Sequence, residues 1–538
     1  MRSRSTHVPT GLDKILVYSI ATVFFFYLVV TFQTIQYLPA IPTFGDIALD
    51  GINQFHPEAS QYIKSFETIF PHSISVETYE NIQHPARLHK RTLNVGNLTV
   101  PPFWDPSAFA SFGGVRSYLG NYGSEPMTFE QARNIGSFYH HETEGSLETI
   151  YVAIASYRDF QCPQTIESIL TRAAFPERVR IAVVDQNDPD VDIPCSTPAV
   201  PCEKDPNQVL CKFSNQIDFY QMEAKDAVGP VFARHLGHRM YRGEYFAMQS
   251  DAHVDYVNNW DTEIIKEFKA SKNEMAVLTT YLSDVTGSID EEGNRLRKTR
   301  PIMCKSDYEG RGKLQHLRHG QQPEGEAGIH GEPTFEPFWA AGFSFSRGHF
   351  VVNVPYDQYL PMVFMGEEIS IGLRGFTYGY DYYTPQFSKC FHYYASNDKT
   401  GKRKNVKLFW ENQKRFEGVE KMSMSRLNGI LQMTPEAKES EWLNIESKKY
   451  GLGKIRSTKS FFDTFGIDIV NKKTEDHLCQ FVGKNMHAVW KFHLRTNTMG
   501  VNYDEIDYKF HDPETYGRRN WEDRKEWRES QYIFKKVH

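Results

Sequence analysis

A basic surplus is missing from this chain: 61 Lys and Arg stand against 67 Asp and Glu, a formal charge of -6. Without a broad positive field the composition gives a nucleic-acid partner no electrostatic support, while leaving room for local basic patches that bind phosphate. Internal repeats are absent, which sets solenoid and propeller architectures aside. Cysteine is sparse, seven in all, and nowhere forms a tight Cys-x-x-Cys pair, so a structural zinc site is not expected. Cys195, Cys202 and Cys211 lie in a Pro/Asp-rich stretch and read instead as a stapled loop. The odd count leaves at least one thiol free or intermolecular.

The composition that is present belongs to a globular protein: 40% hydrophobic, 24% charged and 14% aromatic, with 29 Tyr and 38 Phe. At 538 residues the chain is long enough for one large catalytic domain with appendages, or for two domains. One run carries no charge at all, from Ile15 to Ile35. At about 1.5 Å per residue it can cross a hydrocarbon core of about 30 Å. Arg2, Arg4 and Lys14 precede it against only Asp13, which predicts a single-pass type II anchor with the remaining chain in the lumen. Its length, and the poor cleavage site at Gln36 to Pro39, favour an anchor over a cleaved signal. Asn97-Leu98-Thr99 is a glycosylation sequon on the luminal side.

The expected organisation is a cytoplasmic tail over 1–14, the membrane anchor over 15–36 and a stem and N-terminal luminal region over 37–145. A catalytic domain over 146–400 and a mainly helical region over 401–538 follow. Ile150 to Ala155 is a short apolar, β-branched run that gives way to polar Ser156-Tyr157-Arg158-Asp159, with a helix predicted from Pro163 to Ala174. Arg178 to Gln186 repeats the strand and also ends on a carboxylate, Asp185. A helix is predicted over Asp226 to Tyr241, and strands over Glu244 to Ser250 and Met275 to Tyr281. Strands alternating with helices imply an α/β fold with a mostly parallel sheet flanked by helices. Such sheets bind ligands beyond the carboxyl ends of their strands, where Ser156 to Asp159, Asp185 and Asp251 fall. Ser283 to Gly331 is polar and rich in Gly and His, as expected of a mobile or acceptor-facing loop. Lys404 to Asn428 and Trp521 to Lys536 read as charged helices.

Within Gln249-Ser250-Asp251-Ala252-His253, a carboxylate and an imidazole two residues apart at a strand end can reach one divalent cation. Such an ion neutralises a diphosphate without consuming a proton. His392, in Cys390-Phe391-His392-Tyr393-Tyr394, is read as the third ligand, completing an oxygen and nitrogen donor set that suits Mn2+ and tolerates Mg2+. Glu367 and Glu368 follow Gly366 at a predicted helix start, and one of them is expected to orient the acceptor hydroxyl or the sugar. Arg234 is a candidate phosphate partner. Trp339 to Arg347 combines aromatic faces suited to stacking on sugar rings with Gly342, which lets backbone approach the substrate.

Taken together, Ile150 to Asp159, Gln249 to His253 with Trp260-Asp261, Trp339 to Arg347, Gly366-Glu367-Glu368, Tyr450 to Arg456 and Phe465 to Asp468 resemble the polypeptide and hydroxyproline α-N-acetylglucosaminyltransferases. The resemblance spans Thr149 to Asp468. It implies a GT-A type, Rossmann-like nucleotide-sugar domain, UDP-N-acetylglucosamine as donor, a divalent metal on Asp251, His253 and His392, and retention of anomeric configuration. It also implies that Ser156, Arg158 and Asp159, with Asp185, line the nucleotide pocket, and that a protein hydroxyl is the acceptor. The anchor departs from the cytosolic member of that family and favours a secretory-pathway, Golgi-type acceptor on Thr or Ser. Two alternatives stand beside this reading: another donor such as UDP-N-acetylgalactosamine or UDP-galactose, and a catalytically silent membrane lectin or scaffold on the same fold.

Overall fold

The computed structural model describes residues 73–75, 97–99 and 136–475, except 137, 242, 321, 328–330 and 399, together with 479, 500 and 501. All of these belong to the second of two compact units, Pro71–His538. The tail, the anchor, most of the stem and the Trp521 to Lys536 stretch lie outside the described residues. Within those residues no helix is long and apolar enough to cross a membrane. Asn97–Thr99, which contains the sequon, pairs antiparallel with Ser73–Ser75.

The core is an eight-stranded sheet. Its first strand, β1 (Ile150–Tyr157), is apolar on both faces, as a central parallel strand must be. Helix α1 (Cys162–Thr171) follows with a proline in its first turn, where the missing N–H costs nothing. Next come β2 (Val179–Asn187), β3 (Ile217–Glu223) and helix α2 (Pro230–Arg239), again opened by proline. Then β4 (Phe246–Asp251), the short β5 (Val254–Tyr256), helix α3 (Trp260–Ala270) and β6 (Ala276–Thr279) bring the chain across the sheet. Strands β7 (Thr334–Glu336) and β8 (Phe343–Arg347), helix α4 (Glu367–Thr377) and β9 (Asp381–Thr384) complete the sheet, and β10 (Cys390–His392) pairs with β5 in a separate two-stranded sheet.

The strand order is β7-β9-β6-β8-β4-β1-β2-β3. The half from β4 to β3 is wholly parallel. The other half is mixed, because β8 runs antiparallel to both β6 and β4, and β7 antiparallel to β9. The expected mostly parallel sheet is therefore present, with two reversed strands. One of them is the segment read from sequence as sugar-facing: Phe343 to Arg347 is buried throughout in mid-sheet.

Because β4, β1 and β2 are parallel neighbours, their carboxyl ends share one edge. Ser156 pairs in register with Asp185, and Ala155 with Asp251. The polar segments after the three strands converge there.

Beyond residue 400 the expected helical region differs. Of Lys404 to Asn428 only the part within α5 (Val419–Ile430) is α-helix; the earlier part is 3-10 turns, Arg403–Asn405 and Phe409–Asn412. Side chains from these turns are spent on contacts with the sheet edge rather than on a helix face. Helix α6 (Thr458–Phe465) is capped by the Ser457 side chain, which accepts from the Ser460 N–H.

Three disulfides staple the unit: Cys162–Cys195, Cys202–Cys211 and Cys304–Cys479. Cys390 is the free, buried seventh cysteine. The loop expected to be stapled is so, and one of its bridges ties it to α1.

Candidate active site

Asp251 is the last residue of β4, and its N–H donates to the Gly342 carbonyl at 3.1 Å. A Cβ at 342 would lie 3.0 Å from Asp251 Oδ2, so glycine leaves the carboxylate room that a larger residue would crowd. His253 follows two residues on, between β4 and β5. His392 reaches the same point through a long-range pairing, since β10 runs antiparallel to β5 with His392 opposite Val254. His392 Nε2 lies 3.6 Å from Asp251 Oδ2, and the two imidazoles meet edge to face at 4.3 Å. One ligand atom from each of Asp251, His253 and His392 lies within 4.8 Å of the others.

The surroundings suit this trio to a cation. Burial, then the neighbouring His253, hold His392 down to about 3, so its imidazole is neutral and can donate a lone pair. Its buried Nδ1 has no hydrogen-bond partner. His253 Nδ1 lies 2.7 Å from Asp159 Oδ2, which sets a carboxylate behind the candidate ligand. Burial alone would raise the Asp159 carboxyl, but His253 and Arg403 outweigh it and bring it down to about 2. Arg403 donates to both Asp159 oxygens, at 2.6 and 2.7 Å.

Arg234, on α2, bridges the cluster to α4. Its guanidinium donates to Asp251 Oδ1 at 3.0 Å and to Glu367 Oε1 at 2.5 Å. Burial alone would lower its pKa, but Glu367 leads the groups that raise it instead, so it stays charged. Gly366 caps α4 at φ +93°, a conformation that favours glycine, and places both glutamates in the first turn, where the helix dipole favours negative charge. The two then diverge. Glu367 is buried against Arg234. Glu368 accepts from the Tyr281 hydroxyl at 2.5 Å and the Ala341 N–H at 2.9 Å, and burial pushes its carboxyl up to about 7.

The nucleotide-pocket candidates occupy the adjoining strand ends. Ser156 is fully buried with its hydroxyl unpartnered. Asp185 is buried, accepts from the Cys195 N–H at 2.8 Å and is pushed up to about 6 by burial. Arg158, at φ +51°, is committed to Asp192 at 2.7 Å and Glu411 at 2.8 Å. One expectation needs correction. Trp339 is 1% exposed and packs against Tyr356 and beneath Gly372, so it offers no face for a sugar. Tyr394, 40% exposed with its ring 4.0 Å from that of His392, supplies an accessible aromatic face beside the cluster. The sequence reading also missed Arg403 and Tyr281. Neither lies in a recognisable motif, and only tertiary contact joins them to the site.

Fold and cluster together define an α/β protein whose candidate metal ligands gather beyond the carboxyl ends of its parallel strands, where such sheets bind ligands. The particular family follows: the sequence profile of the family described as Glycosyltransferase (GlcNAc) matches residues 149–471, well over half the chain, so the chain belongs to that family and is a glycosyltransferase. No curated protein matches it. Among solved structures it is similar to GalNAc-T7, solved with UDP, GalNAc and Mn2+, at 16% identity over 68% of this chain and 66% of that one, with a TM-score of 0.36. It is also similar to residues 1–349 of S. aureus TarS in complex with UDP-GlcNAc, at 11% identity over 52% of this chain and 70% of that one, with a TM-score of 0.28. The chain thus spans slightly less than two thirds of GalNAc-T7.

Proposed function

We propose that the chain transfers N-acetylglucosamine from UDP-N-acetylglucosamine to a hydroxyl side chain, Thr, Ser or hydroxyproline, of a protein acceptor, with retention of configuration. Asp251, His253 and His392 would hold Mn2+ or Mg2+, and their convergence at the carboxyl edge of the sheet is the observation that carries the reading. A bound cation would neutralise the diphosphate as the sugar-phosphate bond breaks. Asp159 orients His253, and Arg403 keeps Asp159 ionised. Arg234 fixes Asp251 relative to Glu367. Glu367, buried in that ion pair, is a poor nucleophile. This supports front-face departure, in which the leaving diphosphate takes the proton of the acceptor hydroxyl and no protein nucleophile is needed. Glu368 with Tyr281, more open to the cleft, is the better candidate to orient a sugar or acceptor hydroxyl. The apolar run at Ile15 to Ile35 and three disulfides support a type II Golgi or other secretory-pathway membrane location.

Full-length protein in detergent, given Mn2+ and a panel of UDP-sugars, tests the reading. UDP release and transfer to hydroxyl peptides are expected to be fastest with UDP-N-acetylglucosamine, and Asp251→Ala to lose at least about 100-fold. A β-linked product by NMR would overturn retention. Preference for UDP-N-acetylgalactosamine or UDP-galactose would move the donor. No turnover of any donor, with UDP binding unchanged in Asp251→Ala, would leave a silent scaffold. A glycosidase-sensitive mobility shift that disappears in Asn97→Gln is expected from the luminal topology, and an unshifted band counts against it.

A further inference from the structure

Among the described residues, four exposed apolar side chains near the active site fall in two segments that meet in space. Phe364 and Met365 are 46% and 42% exposed and run directly into the Gly366 cap and Glu367 of α4. Leu408 and Trp410 are 60% and 38% exposed and flank Phe409. Large apolar groups gathered at a cleft mark a binding surface more often than isolated ones do.

This surface is anchored. Phe409 is buried, 3.1 Å from where a Cβ of Gly229 would stand, and Trp410 lies 4.0 Å from its ring and 5.6 Å from that of Phe364. Asn412 donates to the Ala224 and Ala227 carbonyls at 2.7 and 3.0 Å, and Arg415 pairs with Asp226 at 2.9 Å. Both ends connect to the reaction centre. Glu411 accepts from Tyr157 and Arg158, Arg403 holds Asp159 beside His253, and Met365 adjoins the Glu367–Arg234–Asp251 chain.

The charge around it is predominantly positive. Between 402 and 415 six basic residues stand against one acidic residue, Glu411, in a chain whose net charge is negative. Arg403 and Arg415 are paired, but Lys404, Lys407 and Lys414 are exposed and make no salt bridge among the described residues, although Lys407 acts electrostatically on Glu411. A sugar ring or a base could stack on Trp410, but neither calls for the exposed aliphatic side chains of Leu408 and Met365 beside it. A polypeptide does, and one with acidic residues beside apolar ones matches both features.

Resting on the transferase reading above, we propose that Phe364, Met365, Leu408 and Trp410, rimmed by Lys404, Lys407 and Lys414, form the acceptor-docking surface, and that its occupant is an acidic polypeptide segment whose hydroxyl residue is flanked by apolar side chains.

The experiment uses full-length protein in detergent with Thr-centred synthetic peptides of one length, flanked by Asp/Glu and Leu, by Lys and Leu, or by Gly and Ser. The acidic-apolar peptide is expected to have the lowest KM. Trp410→Ala combined with Met365→Ser is expected to raise that KM about tenfold, while the KM for UDP-N-acetylglucosamine stays unchanged. Lys407→Glu with Lys414→Glu is expected to shift preference toward the Lys-flanked peptide. Equal KM values across the three peptides, or across the variants, overturn the proposal. So does loss of binding to phosphatidylcholine vesicles containing phosphatidylserine with peptide kinetics unchanged, which would make the surface a membrane contact. Fluorescence anisotropy of the labelled peptides reads docking without turnover. A wild-type protein that binds the acidic peptide selectively but transfers nothing sinks the transferase reading and keeps the surface, whereas transfer without selectivity does the reverse.

Discussion

Glu368 shows how one residue's surroundings set its chemistry. Its carboxyl is pushed up to about 7, first by burial, against the opposing hydrogen bonds from Tyr281 and Ala341. A carboxyl raised in the folded state favours the protonated form there, so its stabilising contribution is complete below the unfolded value of about 4.5 and is lost as pH rises through 7. In metal-free protein, Glu368→Gln removes that loss. The Tm of the variant relative to wild type is therefore expected to rise by about 2 °C or more between pH 5.5 and pH 8. Asp185, also raised by burial, titrates in both proteins and cancels in the comparison, whereas the adjacent Glu367, which Glu368 helps to raise, is eased downward in the variant. A constant difference in Tm between variant and wild type would show that Glu368 does not titrate in this range. The same residue illustrates what sequence conveys: adjacent glutamates after glycine mark a helix start, but their partners, Arg234 and Tyr281, lie 133 and 87 residues away.

Elements separate catalytic from structural readings of similar motifs. Trp260-Asp261 belongs to the same family-like pattern as Asp251 and His253, yet it builds a joint between α3 and the segment after α1. Asp261 is fully buried and accepts from the Ala174 and Phe175 N–H groups at 2.7 and 3.2 Å and from Arg178 at 2.6 Å. Asp261→Ala strands a buried guanidinium, and urea unfolding is expected to show a loss of about 3–5 kcal/mol. The fraction that remains folded should keep its donor KM. A stability change below about 1 kcal/mol, or a donor KM raised at full folding, would move Asp261 from the joint to the site. Strands β1 and β2 were readable as elements because parallel strands covered on both faces are continuous apolar runs. Strand β8 was not. Phe343-Ser344-Phe345-Ser346 alternates like a half-exposed strand, but β6 and β4 flank it and helices cover it, so the serines are buried too. The place of His392 was equally hidden, since only the pairing of β10 with β5, more than a hundred residues apart, sets it beside His253.

At the scale of the whole molecule, the disulfides set how far the C-terminal part can depart from the sheet. Cys202–Cys211 closes a loop of 9 residues, Cys162–Cys195 one of 33, and Cys304–Cys479 one of 175. If bridges act mainly by restricting the unfolded chain, their contributions grow with the logarithm of the loop, from about 2–3 kcal/mol for the shortest to about 5 kcal/mol for the longest. The longest also ties the segment after α6 to Cys304, a buried residue of the long connection between β6 and β7. Cys304→Ser with Cys479→Ser is therefore expected to lower unfolding stability more than Cys202→Ser with Cys211→Ser, by about 2 kcal/mol in denaturant titrations. Activity at room temperature should survive in both, because neither bridge touches Asp251, His253 or His392. If the short bridge proves the more costly to lose, the loops are already constrained in the unfolded chain and entropy is not the main contribution. If removing the long bridge abolishes activity while the protein stays folded, the bridge does more than restrict the unfolded chain.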